Sequence, residues 1–338
     1  MSITEKLLKN STIKSTTTLD KSAVFNLSEP TTTPIPILNL ALSGKLTGGL
    51  YSGLTQFAGP SKHFKSNLAL ICVAAYLKKY PEGACIFYDS EGGSKESYFK
   101  SFGIDSSRVV HTAIKNVEQL KFDVMAQVTE ISKGDKIIIV IDSIGNLASK
   151  KEVEDALEKN SAADMSRAKA MKSLFRIVTP ELNERDIPMV VINHSYTEQK
   201  MYGREVVSGG TGAMYSSNDV IILGRSQEKD DEGLSGYTFT MNTEKSRTVK
   251  EKSKFPFTVK FEGGIERFSG LMELALETGH VTKPKNGWYT RPMVDGDKNF
   301  RMDETKNFSF WEPILKSDFP KVLENKFKLN ENGMLLDE

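Results

Sequence analysis

Cysteine is almost absent from this chain. Its two cysteines, Cys72 and Cys85, each sit inside an apolar string (Leu70-Ile71-Cys72-Val73-Ala74 and Ala84-Cys85-Ile86-Phe87). That placement reads as small buried hydrophobes in a reducing compartment, not as a disulfide or redox pair. With only four histidines scattered along the chain, a zinc-finger arrangement is excluded. No apolar stretch approaches the roughly 18–20 residues of a membrane span, and no secretory-type apolar run opens the sequence. No membrane association is therefore expected. An excess of one charge is missing too: 45 Lys and Arg against 44 Asp and Glu leave a net charge of +1. A uniformly basic surface is excluded, so any nucleic-acid site must be a local patch.

What is present suffices for a globular core. Apolar residues make up 38% and charged residues 26% of 338 residues, which argues against wholesale disorder and for one large domain or two. Residues 1–33 are rich in Ser and Thr with a short apolar run at 23–27, and read as a mobile arm with one strand that docks elsewhere. From residue 34 strands and helices alternate. Strands are expected at 55–58, 84–88, 136–141, 187–193, 220–223 and 237–242, and helices at 66–79, 117–132 and 162–185. The middle strands are unbroken β-branched runs (Ile137-Ile138-Ile139-Val140-Ile141), the mark of a mostly parallel sheet covered by helices on both faces. An α/β core over 34–276 follows, and residues 277–338 read as a small accessory segment.

The strand at 55–58 leads into Gly59-Pro60-Ser61-Lys62-His63-Phe64-Lys65-Ser66 and then a helix. Such a loop aims backbone N–H groups at an anion, a lysine neutralises the β- and γ-phosphates, and the next hydroxyl reaches Mg²⁺. Lys65 and Ser66 occupy those places, whereas Phe64 stands where the pattern has glycine. Phe64 implies either an altered loop or a side chain directed away from the phosphates. Asp142, ending the strand at 136–141, suits the Mg²⁺ shell. Glu91, just past the strand at 84–88, suits activation of a water. All should gather at the carboxyl ends of the strands.

These motifs resemble the RecA-like strand-exchange recombinases, and most closely the UvsX-like recombinases of tailed phages. The resemblance spans about residues 23–289. It rests on Gly59 to Ser66, Phe87-Tyr88-Asp89-Ser90-Glu91, Ile141-Asp142-Ser143-Ile144-Gly145-Asn146-Leu147-Ala148, Ile192-Asn193-His194, Ser208-Gly209-Gly210-Thr211-Gly212 and Asn242-Thr243-Glu244-Lys245-Ser246-Arg247. It implies a P-loop ATPase core that binds ATP and Mg²⁺, with Tyr98 stacking on adenine and His194 sensing the γ-phosphate where bacterial members carry glutamine. It also implies two DNA loops, here 149–163 and 195–208. Lys150 and Arg167 are the candidates at the first; Lys200, Tyr202, Arg204, Gly209 and Gly210 belong to the second. Basic and aromatic side chains on a loop suit a single strand, and a glycine pair opening a helix suits a phosphate.

Between Glu244 and Lys260 six basic residues face two acidic ones. The resemblance implies that Lys245 and Arg247 reach a neighbouring subunit's ATP, as an arginine finger would. The arm, with Phe25 as anchor, then adds to a neighbour's sheet edge, and a head-to-tail contact that does not close gives a filament. The expected protein is an ATP-dependent recombinase that polymerises on single-stranded DNA and pairs it with homologous double-stranded DNA. The family acts with a single-strand-binding protein and a recombination mediator, in the host bacterial cytoplasm for a phage protein. Two alternatives stand beside this reading: a ring-forming helicase or motor on the same core, and a non-hydrolysing DNA-binding regulator for which Phe64 is the argument.

Overall fold

The structure, a computed structural model, describes residues 1–22, 29–132, 134–158, 166–197, 205–208, 211–230 and 233–329. Its strands are β1 (Gly53–Ala58), β2 (Ala84–Asp89), β3 (Val109–Ala113), β4 (Ile137–Asp142), β5 (Pro188–Asn193), β6 (Ser195–Thr197), β7 (Glu205–Val207), β8 (Asp219–Asp230), β9 (Gly233–Lys245), β10 (Lys254–Lys260) and β11 (Gly264–Ile265). β12 (Thr282–Lys285), β13 (Trp288–Thr290) and β14 (Asn299–Arg301) follow. The helices are α1 (Ile3–Asn10), α2 (Pro36–Ser43), α3 (Lys65–Lys79), α4 (Glu96–Ser101), α5 (Val117–Glu130), α6 (Lys150–Leu157), α7 (Ser166–Arg185), α8 (Thr211–Ser216), α9 (Leu271–Glu277), α10 (Pro292–Asp295), α11 (Phe308–Lys316) and α12 (Phe319–Phe327).

The main sheet has the order β11-β10-β9-β8-β1-β5-β4-β2-β3. From β8 to β3 neighbours run parallel, while β8 to β11 are antiparallel. The unbroken apolar run of β4 explains the double covering. Ile138 and Val140 enter the core that α3 closes, and Ile139 and Ile141 enter the core beneath α5 and α7. Successive side chains on a strand point to opposite faces, so both faces are buried only where every residue is apolar. Cys72 and Cys85 are free and fully buried, and burial pushes the Cys72 thiol up to about 12, which leaves it inert.

Register fixes where the site lies. Ala58 of β1 faces Asn193 of β5, and Asp89 of β2 faces Asp142 of β4. The carboxyl ends of four parallel strands therefore share one edge of the sheet, beside the reversal of strand order between β1 and β5.

Several elements escape the sequence pattern. β3 is an edge strand with Val110 and His111 exposed, so it lacks an apolar run. α2 is apolar but for Asn39 and Ser43, opens on Pro36 and closes on Gly44 in the left-handed region (φ 73°). It is buried from Ile37 to Ser43, against β10. The arm carries a helix, α1, capped reciprocally by Ser2 and Glu5. The strand expected at 23–27, with Phe25, lies outside the described residues.

The segment after α9 is more closely knit to the core than its composition suggests. A three-stranded sheet (β12-β13-β14) precedes α11 and α12, which drive Trp311, Ile314, Phe319, Leu323 and Phe327 into the same cluster as α2 and β10. The Phe255 and Phe327 rings lie 4.9 Å apart, and Trp311 donates its indole N–H to the Thr305 carbonyl at 2.6 Å. Trp311→Ala is expected to cost about 3–5 kcal/mol and to lower the urea midpoint of one transition that carries the main sheet with it. A separate transition, with the main midpoint unmoved, would contradict the shared core.

Candidate active site

β1 delivers Gly59 to the sheet edge with φ 152°, where a Cβ would meet the Leu223 carbonyl oxygen at 3.0 Å. Pro60, Ser61, Lys62 and His63 form the loop, His63 Nδ1 lying 2.9 Å from the Ser61 carbonyl. Phe64 adopts the left-handed conformation (φ 63°, ψ 12°) that glycine would supply, immediately before α3. Its ring turns away from the loop's concave side and packs on Phe239 (5.3 Å between centroids) and Phe257 (5.8 Å). Aromatic packing offsets the backbone strain here, so the loop keeps a phosphate-loop backbone without its glycine.

Lys65 is buried, and its Nζ donates to the Pro60 carbonyl at 2.7 Å, folded back over the loop. Burial pulls its pKa down, while Asp142 and Glu91 pull it up. Burial pushes Asp142 up to about 6; the Ser66 hydroxyl bonds to it and opposes this, and the Glu91 and Asp89 charges add to it. The Glu91 loop is held by Asp89. Burial alone would push that carboxyl up, yet the Gly92 and Glu91 N–H groups, His111 and the Ser94 N–H hold it below the usual range. Ser90 and Ser143 stitch the loop to the end of β4 through Ser90 Oγ to Ser143 O (2.7 Å) and Ser143 N to Ser90 Oγ (2.9 Å).

Glu91 Oε1 accepts from Ser143 Oγ at 2.9 Å and Asn146 Nδ2 at 2.8 Å. His194 Nε2 lies 3.5 Å from the same oxygen, an ion-pair distance without hydrogen-bond geometry. The structure thus brings together Lys65, Ser66, Glu91, Asp142 and His194. Ser143 and Asn146 belong to the motif after β4, but nothing in the sequence singled out their side chains; their direction depends on how that turn folds. Tyr98 packs edge-on against Phe102 at 5.5 Å; burial pushes its hydroxyl up to about 12, with the Asp142 charge adding to this.

The DNA candidates divide. β6 and β7 pair as a ribbon leaving β5, Ser195 opposite Val207. Lys200, Tyr202, Arg204, Gly209 and Gly210 lie outside the described residues. The first loop, expected irregular, begins as helix α6, capped by Ser149 and Glu152. Lys150 is exposed there, with its Nζ 3.6 Å from Glu154. Arg167 instead directs its guanidinium at backbone carbonyls: Leu147 (2.6 Å), Ile144 (3.0 Å) and Gly145 (2.9 Å).

Lys245 Nζ donates to the carbonyls of Met214 (3.0 Å), Tyr215 (2.9 Å) and Ser217 (2.8 Å), closing the end of α8 within its own subunit. Burial, then Arg247, lowers its pKa. Arg247 is exposed. Beneath them Asp219, missed in the sequence, accepts from Ser246 Oγ at 2.5 Å, and burial pushes it up to about 7.

Two expectations follow. Phe64→Ala keeps the strained backbone and loses the ring contacts, so it should destabilise by about 2–4 kcal/mol. An unchanged urea midpoint would contradict the packing account. Folded Asp219 holds its proton to about 7, whereas the unfolded carboxyl releases it near about 3.9. Its contribution to stability is full below that lower value and is lost as pH rises through 7. Asp219→Asn should therefore melt progressively higher relative to wild type between pH 5 and 8; a constant difference would refute this.

Comparison with known proteins agrees with the geometry. The RecA N-terminal domain family matches residues 6–265, and the family "Bacteriophage T4, Recombination and repair protein, C-terminal domain" matches residues 268–321. The chain is 50% identical to the "Recombination and repair protein" of Enterobacteria phage T4 over 96% of this chain and 85% of that protein. It is 26% identical to "Protein RecA" of Streptomyces rimosus (90% and 81% covered) and of Cytophaga hutchinsonii (81% and 77% covered). With a phosphate loop, a Glu91–Asp142 edge and a family match over most of its length, this chain belongs to the RecA family of recombinases.

Proposed function

We propose that this RecA-family strand-exchange recombinase, a DNA-dependent ATPase, binds ATP across the carboxyl ends of β1, β2, β4 and β5 and hydrolyses it with Glu91. The observation that carries the reading is the meeting of Lys65, Ser66, Asp142, Glu91 and His194 at that edge. Residues 59–66 would cradle the phosphates with backbone N–H groups, and Lys65 would exchange its bond to Pro60 for phosphate oxygens. Glu91, 45% exposed at its side chain, would take a proton from the water attacking the γ-phosphorus. His194 lies close enough to the same carboxylate to report the γ-phosphate to it, and Tyr98 would face the adenine.

The oxygen ligands suit a hard cation. The Ser66 hydroxyl beside the Asp142 carboxyl, which burial raises, offers oxygen ligands that fit Mg²⁺. Among the described residues no group of three or more His, Cys, Asp or Glu could hold a metal ion. When bound, Mg²⁺ would neutralise charge on the β- and γ-oxygens, with Ser66 and Asp142 holding it.

Single-stranded DNA would lie along the β6–β7 ribbon, gripped by Lys200, Tyr202, Arg204 and the Gly209–Gly210 turn, with Lys150 and Arg167 near the first loop. Pairing with homologous double-stranded DNA would be read by bases and not by protein, so no sequence preference is expected. Lys245 and Arg247 would meet a neighbour's ATP in a filament to which the arm, through Phe25, adds a strand. Residues 1–33 would thus serve polymerisation, 34–276 ATP and DNA, and 277–338 an accessory role. A single-strand-binding protein and a recombination mediator are the further partners, in a host bacterial cytoplasm. Among the described residues no helix is long and apolar enough to cross a membrane.

The test is ATP hydrolysis with and without single-stranded DNA, with electron microscopy of the same mixtures. Wild type should form helical filaments and show DNA-stimulated turnover that Glu91→Gln lowers by roughly 10²-fold or more. Rings with turnover would favour a motor, and absence of turnover would contradict the reading. Lys245→Ala should also lose stimulated turnover. Mixed equally with Glu91→Gln, it should regain activity at about a quarter of the subunit junctions, because a head-to-tail contact joins unlike surfaces. No recovery would sink the shared site.

A further inference from the structure

Glu91 sits on an exposed loop, where a glutamate ordinarily samples several rotamers. Here both of its hydrogen bonds from side chains, Ser143 Oγ at 2.9 Å and Asn146 Nδ2 at 2.8 Å, fall on Oε1. Such charge-assisted bonds fix the plane of the carboxylate and leave Oε2 as the oxygen turned to water.

Asn146 occupies the turn 144–147, which is pressed between two further groups. On one side, a Cβ on Gly145 would come within 2.3 Å of His194 Cδ2, so the turn lies directly against the histidine ring. On the other, the Arg167 guanidinium takes the carbonyls of Ile144, Gly145 and Leu147. Arg167 is the second residue of α7. Ser166 Oγ also lies 2.6 Å from Ser149 Oγ, where α6 begins. Asn146 cannot shift far without breaking the Arg167 contacts, and α7 cannot shift at its start without moving the turn.

We propose that Asn146 is a positioning residue for Glu91 and that Arg167, at the start of α7, fixes the turn that carries Asn146. This rests on Glu91 being the carboxylate that activates water.

The experiment measures ATP turnover at saturating single-stranded DNA, so that a weakened DNA contact does not enter, with melting temperature as a control on folding. Asn146 is exposed, so Asn146→Ala should fold. It should lower kcat roughly tenfold while changing the KM for ATP less than about twofold. Asn146→Gln, which keeps an amide donor, should lose less. In a Glu91→Gln background Asn146→Ala should change the residual turnover by less than about twofold, because the group it positions is gone. Arg167→Lys keeps a positive charge for phosphate but cannot make the three-carbonyl fork. It should lower kcat, and less than additively with Asn146→Ala. Wild-type kcat in Asn146→Ala, or an equal fold-loss with and without Glu91, would overturn the positioning role. Wild-type kcat in Arg167→Lys would overturn the part given to Arg167. Wild-type turnover in Glu91→Gln would instead remove the reading of Glu91, and this inference with it.

Discussion

The parallel register of β1, β5, β4 and β2 is the constraint on which the rest of the molecule depends. Ala58 lies opposite Asn193, and Asp89 opposite Asp142, so four strands end together. Each then releases its chain at the same edge: the phosphate loop from β1, the Glu91 loop from β2, the Ser143–Leu147 turn from β4, and His194 with the β6–β7 ribbon from β5. A slip of one residue in any pair would exchange the side chains packed into the two covered faces and separate the site. The double hydrophobic covering that stabilises the sheet therefore also fixes the geometry of the chemistry.

Within that frame charge is arranged sparingly. Lys65 is drawn into the buried end of the phosphate loop, where the Asp142 and Glu91 charges face its own. Burial raises the Asp142 carboxyl first, and the Glu91 and Asp89 charges add to it. A nucleotide with its cation would add both signs at once, which suits a site that changes state on binding. Lys245 makes a comparable choice at the far end of β9, where its ammonium closes α8, the helix that follows β7. Engagement of that ammonium by a neighbouring subunit would compete with those carbonyls.

Much of this was legible in the sequence, for identifiable reasons. The runs that became β4 and β5 are apolar at every position, and that pattern has few alternatives. Lys65 and Ser66 follow from the phosphate-loop pattern, Glu91 and Asp142 from strand ends, and His194 from the resemblance to the family. What escaped depends on contacts distant in sequence. The outward turn of Phe64 is decided by Phe239 and Phe257, which no local spacing announces. β3 is too exposed, and α2 too short and too largely apolar, to show a period. Trp311 and Phe319 lie in a polar, proline-containing stretch whose burial follows from α2 and β10 beneath them. Asn146 and Arg167 stood in view as residues, but their partners are set by the fold of a single turn.

The most direct measurement of the central claim is strand exchange: labelled duplex DNA incubated with homologous single-stranded circles, protein, Mg²⁺ and ATP, followed to joint molecules. The account predicts joint molecules with homologous duplex and ATP, none with heterologous duplex, and none when Lys65 is replaced by alanine. Filaments that hydrolyse ATP on single-stranded DNA yet never yield homology-dependent joint molecules would contradict it.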